Sequence, residues 1–337
     1  MTAAVTDRAT TADEVRDAVR DARRDATPLE IRGGGSVLDR IPSDGERVLS
    51  VAGLSGVVAH AAEDLTITVR AGLLVDELTE VLAVAGQECP IEPAEYDGST
   101  VGGRIATALA GPRQLGAGRV RDWLLRVRFV TGAGQLATAG GVTVKDVTGY
   151  DLCRLMAGSW GTVGVITEVT LKLRPIARHR QWYATDSPRH DLDTVLYRPA
   201  SLITTAERTY VLLEGHPDDA ADQAAAVGLG RSDAPTLPRT ARASVDPARL
   251  REFVTAIDGS TTAWAAQDGV GVCHLDAGAD GVAAARTVAE GLSGSLLVLD
   301  PGLGLPAFGG RPMPPMAAQV AAALDPDRVL APWRWTR

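Results

Sequence analysis

The sequence predicts an α+β protein with one larger unit and a smaller unit built on an antiparallel sheet. Three observations carry this. Short β-branched strands end repeatedly in glycine-rich turns, helices with one apolar face separate them, and the texture changes after about residue 178. At 337 residues the chain exceeds one average domain, so a large and a small unit are expected. We place the boundaries at 1–177, 178–310 and 311–337, the last segment returning to the first unit.

Thr11-Ala12-Asp13-Glu14 forms a capping box, and Val15, Ala18, Val19 and Ala22 recur at helical spacing behind it. A strand at Leu29–Arg32 runs into Gly33-Gly34-Gly35-Ser36. Leu65–Val69 reads as a second strand, followed by the helix face Leu74, Val75, Leu78, Val81, Leu82 and Ala85, which Gly86 ends. A Pro-rich, acidic loop leads to Gly98-Ser99-Thr100-Val101-Gly102-Gly103, with a helix predicted from Arg104. Trp123–Val130 and Gln135–Ala139 are strands joined by Thr131-Gly132-Ala133-Gly134. The glycines at 158, 161 and 164 precede a strand from Val163 to Leu173, whose alternation predicts half burial. Pro175 ends it.

In the second unit, strands are predicted at 181–185, 209–214, 261–266, 269–275 and 295–299, and helices at 218–227, 247–257 and 280–292. Ser232–Arg242 and Pro301–Pro315 read as loops. This alternation suits helices on one face of an antiparallel sheet.

Composition narrows the function. A net charge of −8 without a basic run argues against nucleic acid as a partner. Cys89, Cys153 and Cys273 are scattered, so no CxxC pair can hold zinc or an iron–sulfur cluster, and a reducing, cytoplasmic setting fits them. Met1–Ala12 lacks a secretory pattern, and no apolar run approaches membrane-spanning length.

Gly132-Ala133-Gly134-Gln135-Leu136-Ala137 matches the dinucleotide fingerprint GxGxxA, yet no helix-forming stretch follows it and no acidic residue stands about 20 positions on. We read it as a hairpin turn. Arg32-Gly33-Gly34-Gly35-Ser36 is the better anion candidate, since consecutive glycine N–H groups can converge on phosphate oxygens while Ser36 adds a hydroxyl. A flexible turn is its bland alternative. The cluster at 98–103 precedes a helix, where backbone donors can again meet an anion. Three such turns point to one long ligand. His274 is the one histidine placed in a strand, and an apolar strand favours a satisfied core role for it.

The ordered segments Ile31–Ser36, Gly98–Gly103 and Lys145…Gly149-Tyr150-Asp151-Leu152…Gly158-Ser159-Trp160-Gly161-Thr162-Val163-Gly164-Val165-Ile166 resemble the FAD-binding domain of the vanillyl-alcohol-oxidase (PCMH) type. Ile91-Glu92-Pro93, Ala110-Gly111-Pro112-Arg113 and Arg121-Asp122-Trp123 make the glycolate oxidase E-subunit family the nearest likeness. The resemblance covers about residues 28–175 and resumes at Leu324–Leu330.

It implies FAD held non-covalently, because Ser36-Val37 stand where covalent members carry a histidine. Arg32, Gly33, Gly34, Gly35 and Ser36 would hold the pyrophosphate. Gly98, Ser99, Thr100, Gly102 and Gly103 would run along it to the inner flavin edge. Gly158, Ser159, Gly161 and Thr162 would pack on the cofactor, with Gly164, Val165 and Ile166 beside its adenosine or ribityl part. It further implies a 2-hydroxy-acid oxidoreductase subunit whose partners are a larger flavoprotein subunit and an iron–sulfur subunit. Membrane contact would come only through those subunits. A non-catalytic assembly subunit and a stand-alone flavin oxidase of a sugar, lactone or alcohol are the alternatives. Ala331-Pro332-Trp333-Arg334 departs from the family's Asn-Pro-Gly ending, and no catalytic base or metal ligand is assigned.

Overall fold

The structure, a computed structural model, describes residues 5–37, 47–91, 98–109, 111–141, 152–308 and 315–332. Lys145–Asp151, Glu92, Pro93, Ala110, Trp333 and Arg334 lie outside them.

Half of the capping box forms: the Thr11 hydroxyl accepts from the Glu14 N–H at 3.2 Å, whereas the Glu14 carboxylate reaches past the cap to the Thr10 N–H at 2.6 Å. The helix it starts, Ala12–Arg24, buries Val15, Val19 and Ala22. These pack on a three-stranded parallel sheet in which Arg47–Ser50 lies between Val5–Arg8 and Leu29–Arg32. Neither Val5–Arg8 nor the central Arg47–Ser50 is among the strands expected from the sequence.

A five-stranded antiparallel sheet follows, ordered Val57–Ala61, Thr66–Arg70, Val165–Lys172, Leu124–Val130 and Leu136–Gly140. Val165–Lys172 occupies its centre. The expected half burial is therefore wrong: Ile166, Thr167 and Thr170 are buried along with Val165, Val169 and Leu171. The polar members stay satisfied, as Thr170 and Thr68 share a 2.9 Å hydrogen bond and Thr167 donates to the Arg128 carbonyl.

The GxGxxA stretch is a hairpin turn between Leu124–Val130 and Leu136–Gly140, as read. Its first glycine has another reason to be there. A Cβ on Gly132 would collide with the Asp325 carboxylate, which accepts from the N–H groups of Val329 and Leu330 at 2.9 and 2.8 Å. That cap sets Leu330 beside Leu29 as an extra parallel bridge, with Leu29 N–H donating to the Val329 carbonyl at 2.7 Å.

Residues 179–298 supply an eight-stranded antiparallel sheet. The helices Pro217–Ala226, Leu250–Ile257 and Ala279–Gly291 cover one face of it. Strands Ser201–Thr205, Gly230–Ser232 and Ala241–Ser244 were not foreseen. Ala241–Ser244 corrects the loop predicted over Ser232–Arg242: a small apolar residue on alternate positions, Ala241 and Ala243, packs on the helices although the surrounding composition reads as loop.

An ionic cluster joins the two sheets. Glu88 stands opposite Arg174 in the short pairing of Gln87–Glu88 with Arg174–Pro175, and Arg180 stands opposite Glu214 in the eight-stranded sheet. Arg113 completes the group. Each guanidinium bridges both carboxylates, at 2.8 and 3.1 Å for Arg113, 2.8 and 2.9 Å for Arg174, and 2.7 Å to each for Arg180.

Burial alone would raise the carboxyl pKa of Glu88 and Glu214, but the Arg113 hydrogen bond and the neighbouring guanidiniums outweigh it and hold both below the ordinary 4.5. A depressed carboxyl pKa contributes stability above the unfolded value, and the contribution is lost as pH falls below 4.5 toward the folded value. Thermal denaturation should therefore show Tm dropping steeply below that pH. Glu88→Gln should lower stability by about 3 kcal/mol at pH 7 and flatten the acid limb; an acid limb identical to wild type would contradict the assignment.

Candidate functional site

An open cleft lies between the two α+β units of the first 175 residues. Gly33, Gly34, Gly35 and Ser36 form one wall. Ser99, Thr100, Gly102 and Gly103 form a second, and Gly161, Gly164 and Ile166 contribute to a third. All three glycine clusters thus meet in one place. Arg32, Gly98, Gly158, Ser159, Thr162 and Val165 do not line the cleft. Val165 is wholly buried in the core beneath the helix Ala12–Arg24, on the opposite side of its strand from Ile166. Arg32 turns instead to an ion pair with Glu30.

The three walls offer different things. Along Gly33–Ser36, no N–H group donates to a described residue, so this loop keeps its donors for an anion. The second cluster has already engaged the N–H groups of its last two glycines. Gly102 N–H binds the Ala71 carbonyl at 2.7 Å, and Gly103 N–H binds the Thr100 hydroxyl at 3.2 Å. Its helix begins at Val101, three residues earlier than predicted, because Thr100 caps it. What this wall supplies is close approach. A Cβ on Gly34 would fall on the Gly98 carbonyl, and one on Gly33 on the Thr100 hydroxyl. The Ser36 and Ser99 hydroxyls are 3.1 Å apart and tie the loops together.

In the third wall, Trp160 N–H and Gly158 N–H bind the carbonyls of Ala106 and Ile105 at 2.8 and 3.0 Å. Ser159 and Thr162 stabilise that turn internally, through Gly161 N–H to Ser159 Oγ and Thr162 Oγ1 to the Ser159 carbonyl. Trp160 itself has φ of 54°, a left-handed conformation that bulky residues rarely hold without a fixed environment. Its ring meets Phe308 edge to face at 4.9 Å between centroids.

The sequence reading missed Arg104, Thr107 and Trp160 as cleft residues. Arg104 is 1% exposed although it is among the longest side chains of the protein. An arginine one turn into a glycine-rich helix start was the signal available for it. The donor-bearing first loop, the cradle that Cβ atoms would fill and the apolar side chains of Ile31, Val37, Val51 and Ile166 fit a dinucleotide with a flat ring.

Comparison with known proteins decides the ligand. A family model described as an FAD binding domain matches residues 3–140. Residues 3–140 are an FAD-binding domain. FAD is the cofactor of this chain, and the fold is the α+β one predicted. The turn at 158–164 lies beyond the matched stretch. The chain is 43% identical over 155 residues to glycolate oxidase subunit GlcE of Escherichia coli (strain K12), covering 45% of this chain and 44% of that protein. It is 33% identical over 165 residues to glycolate oxidase subunit GlcD of Bacillus subtilis (strain 168), covering 48% and 35%. A D-2-hydroxyglutarate dehydrogenase of Xanthomonas citri pv. viticola is 35% identical over 133 residues, covering 40% and 28%. The alignments span less than half the length of each of these relatives. In overall shape, an alkyldihydroxyacetonephosphate synthase superposes with a TM-score of 0.67 at 14% identity, over 97% of this chain and 75% of that one. That likeness speaks for the fold.

Gly34→Ala should push the two glycine loops apart and lower flavin occupancy of the purified protein by more than about tenfold, one lost strong contact being worth that factor. The ratio of flavin to protein absorbance measures it, and wild-type occupancy would show that the loop contact does not shape the FAD site.

Proposed function

We propose that the chain is the FAD-binding subunit of a glycolate oxidase or related 2-hydroxy-acid dehydrogenase complex. The observation that carries this is the pairing of one donor-bearing loop, Gly33–Ser36, with a cleft in a domain similar to glycolate oxidase subunits. Bound non-covalently, FAD would supply the two-electron acceptor for the hydride on the substrate's α-carbon.

The rest falls to the chain. Gly33, Gly34, Gly35 and Ser36 would bind the pyrophosphate through backbone N–H groups and one hydroxyl. Thr100, Gly102 and Gly103 would admit the cofactor closely, and Gly161, Gly164 and Ile166 would flank it. Trp160 and Phe308 would keep water from that end of the cleft, since both sit in an apolar cluster with Val37, Leu109 and Leu299. Arg104 would place a buried positive charge on the cleft wall, where negative charge is favoured. A larger flavoprotein subunit and an iron–sulfur subunit would complete the complex, the latter receiving the electrons. Among the described residues no group of His, Cys, Asp and Glu could hold a metal ion, and no helix is long and apolar enough to cross a membrane.

Anaerobic addition of glycolate or D-lactate to the flavin-loaded protein tests the reading. Bleaching of the visible flavin band by the chain alone, or only when the two partner subunits are present, would support it. A flavin that stays oxidised in both preparations would overturn it.

A further inference from the structure

Two apolar clusters fill the space between the large sheet and its helices, and they stay separate. One lies under Pro217–Ala226 and includes Leu202, the other lies under Leu250–Ile257 and Ala279–Gly291 and includes Ala266. Leu202 and Ala266 belong to adjacent strands, so the seam between the clusters runs along the pairing of Ser201–Thr205 with Ala263–Gln267. Asp268 N–H donates to the Leu202 carbonyl at 3.0 Å and extends that pairing by one residue. Alternate residues share a face, so Thr204 and Asp268 point to the helix side along with Leu202 and Ala266. This side is turned away from the FAD cleft: Leu296 and Val298 pack under the helices, whereas Leu297 between them meets the cluster of Val37 and Trp160.

An open cavity sits on the seam. The sheet gives it Leu202, Thr209 and Asp268, and its sides are residues from the segments 189–193 and 247–251. The charged groups that line it are not alike. Arg189 is fully committed, with both Asp191 carboxylate oxygens at 3.0 and 2.6 Å and the Val227 carbonyl at 2.7 Å. Asp268 is half-buried, and its carboxylate accepts one hydrogen bond, from the Thr204 hydroxyl at 2.6 Å. No arginine, lysine or histidine among the described residues forms an ion pair with it. Burial raises its carboxyl pKa above the ordinary 3.8, and the Thr204 hydrogen bond offsets this only in part. A carboxylate that has lost water without gaining a cation is costly to keep, yet this one faces an open cavity.

Arg251 stands at the other side, exposed on the first turn of Leu250–Ile257. Its single contact among the described residues is a long one, 3.5 Å to the His190 carbonyl, and no carboxylate pairs with it. One cavity is thus lined by an inner carboxylate and an outer guanidinium, each without a counter-charge. The lining does not suit a metal ion, since no group of His, Cys, Asp and Glu among the described residues could hold one.

We propose that this cavity binds a small amino acid, its ammonium on Asp268 and its carboxylate on Arg251. A simple amine would leave Arg251 unmatched, and a simple acid would bring like charge against Asp268. Asp193, exposed on the same lining, adds attraction for the ammonium, and Leu202 and Leu250 offer apolar contact to a short side chain. The site is separate from the flavin chemistry, on the opposite face of the sheet.

Ligand-detected NMR titration of the FAD-loaded chain with glycine and L-alanine, and with propionate and ethylamine as probes that lack one charge each, tests it. At least one of the two amino acids should bind about tenfold tighter than either probe, the worth of one charge-assisted hydrogen bond. Asp268→Asn keeps an acceptor for Thr204 and should weaken that binding by about tenfold, with Tm unchanged or raised because an unpaired charge is gone. Arg251→Gln, at an exposed position, should weaken it similarly with Tm and flavin occupancy at wild-type values. Absence of saturable binding by both amino acids, equal binding of an amino acid and either probe, or wild-type affinity in Asp268→Asn or Arg251→Gln would overturn the site.

Discussion

Five charged side chains hold the protein in its working shape. Glu88 and Glu214 accept from Arg113, Arg174 and Arg180, and every possible pairing in that set is made. Surface ion pairs contribute little, but these carboxylates are 11% and 13% exposed, so each has lost most of its water. Such a group tolerates few geometries, because displacing one member leaves another charge buried and uncompensated. The residues come from the pairing of Gln87–Glu88 with Arg174–Pro175, from the Gly111-Pro112-Arg113 turn, and from two adjacent strands of the large sheet. The cluster thus works as a joint with one setting. It fixes which face of the large sheet is turned toward the cleft.

The cleft shows how similar glycine motifs can do different physical work. At 33–36 the glycines leave backbone donors available and let two loops touch. At 102 and 103 the donors are already bonded, and the missing side chains matter as space. At 164 the missing Cβ makes room for the Phe129 ring, which would be 2.7 Å away. At 132, within the most familiar-looking motif, it makes room for a carboxylate from the far end of the chain. Motif spelling is the same across these sites, and only the neighbours tell them apart.

This explains what could be read from the sequence. Helix faces at 12–24 and 75–84, the hairpin at 124–140 and the convergence of three glycine turns were legible, since each follows from local periodicity or turn chemistry. Val5–Arg8, Arg47–Ser50 and Ser201–Thr205 were not, because short strands of four or five residues owe their state to partners distant in the chain. The centre of a sheet also hides itself: Ile166 and Thr170 stand on the face that the alternation leaves to solvent and are buried. His274 was weighed alone and read as core. Its neighbours in space, Arg242 and Gln267, are separated from it by 32 and 7 residues of sequence, and antiparallel register is what brings them beside it.

The bridge between Leu29 and Leu330 has a bearing on how the site comes into being. Leu29–Arg32 leads directly into the glycine loop that carries the available donors, and Asp325 positions the segment that braces this strand from outside. The two partners are separated by almost the entire polypeptide. Contacts so remote in sequence form late, after the long intervening loop has been closed by other structure. A ribosome must therefore deliver residue 330 before the phosphate loop has its full support, even though the loop itself was synthesised near the start. Cofactor uptake then becomes a seal on a finished chain, and the nascent FAD domain remains dependent on residues it has not yet met.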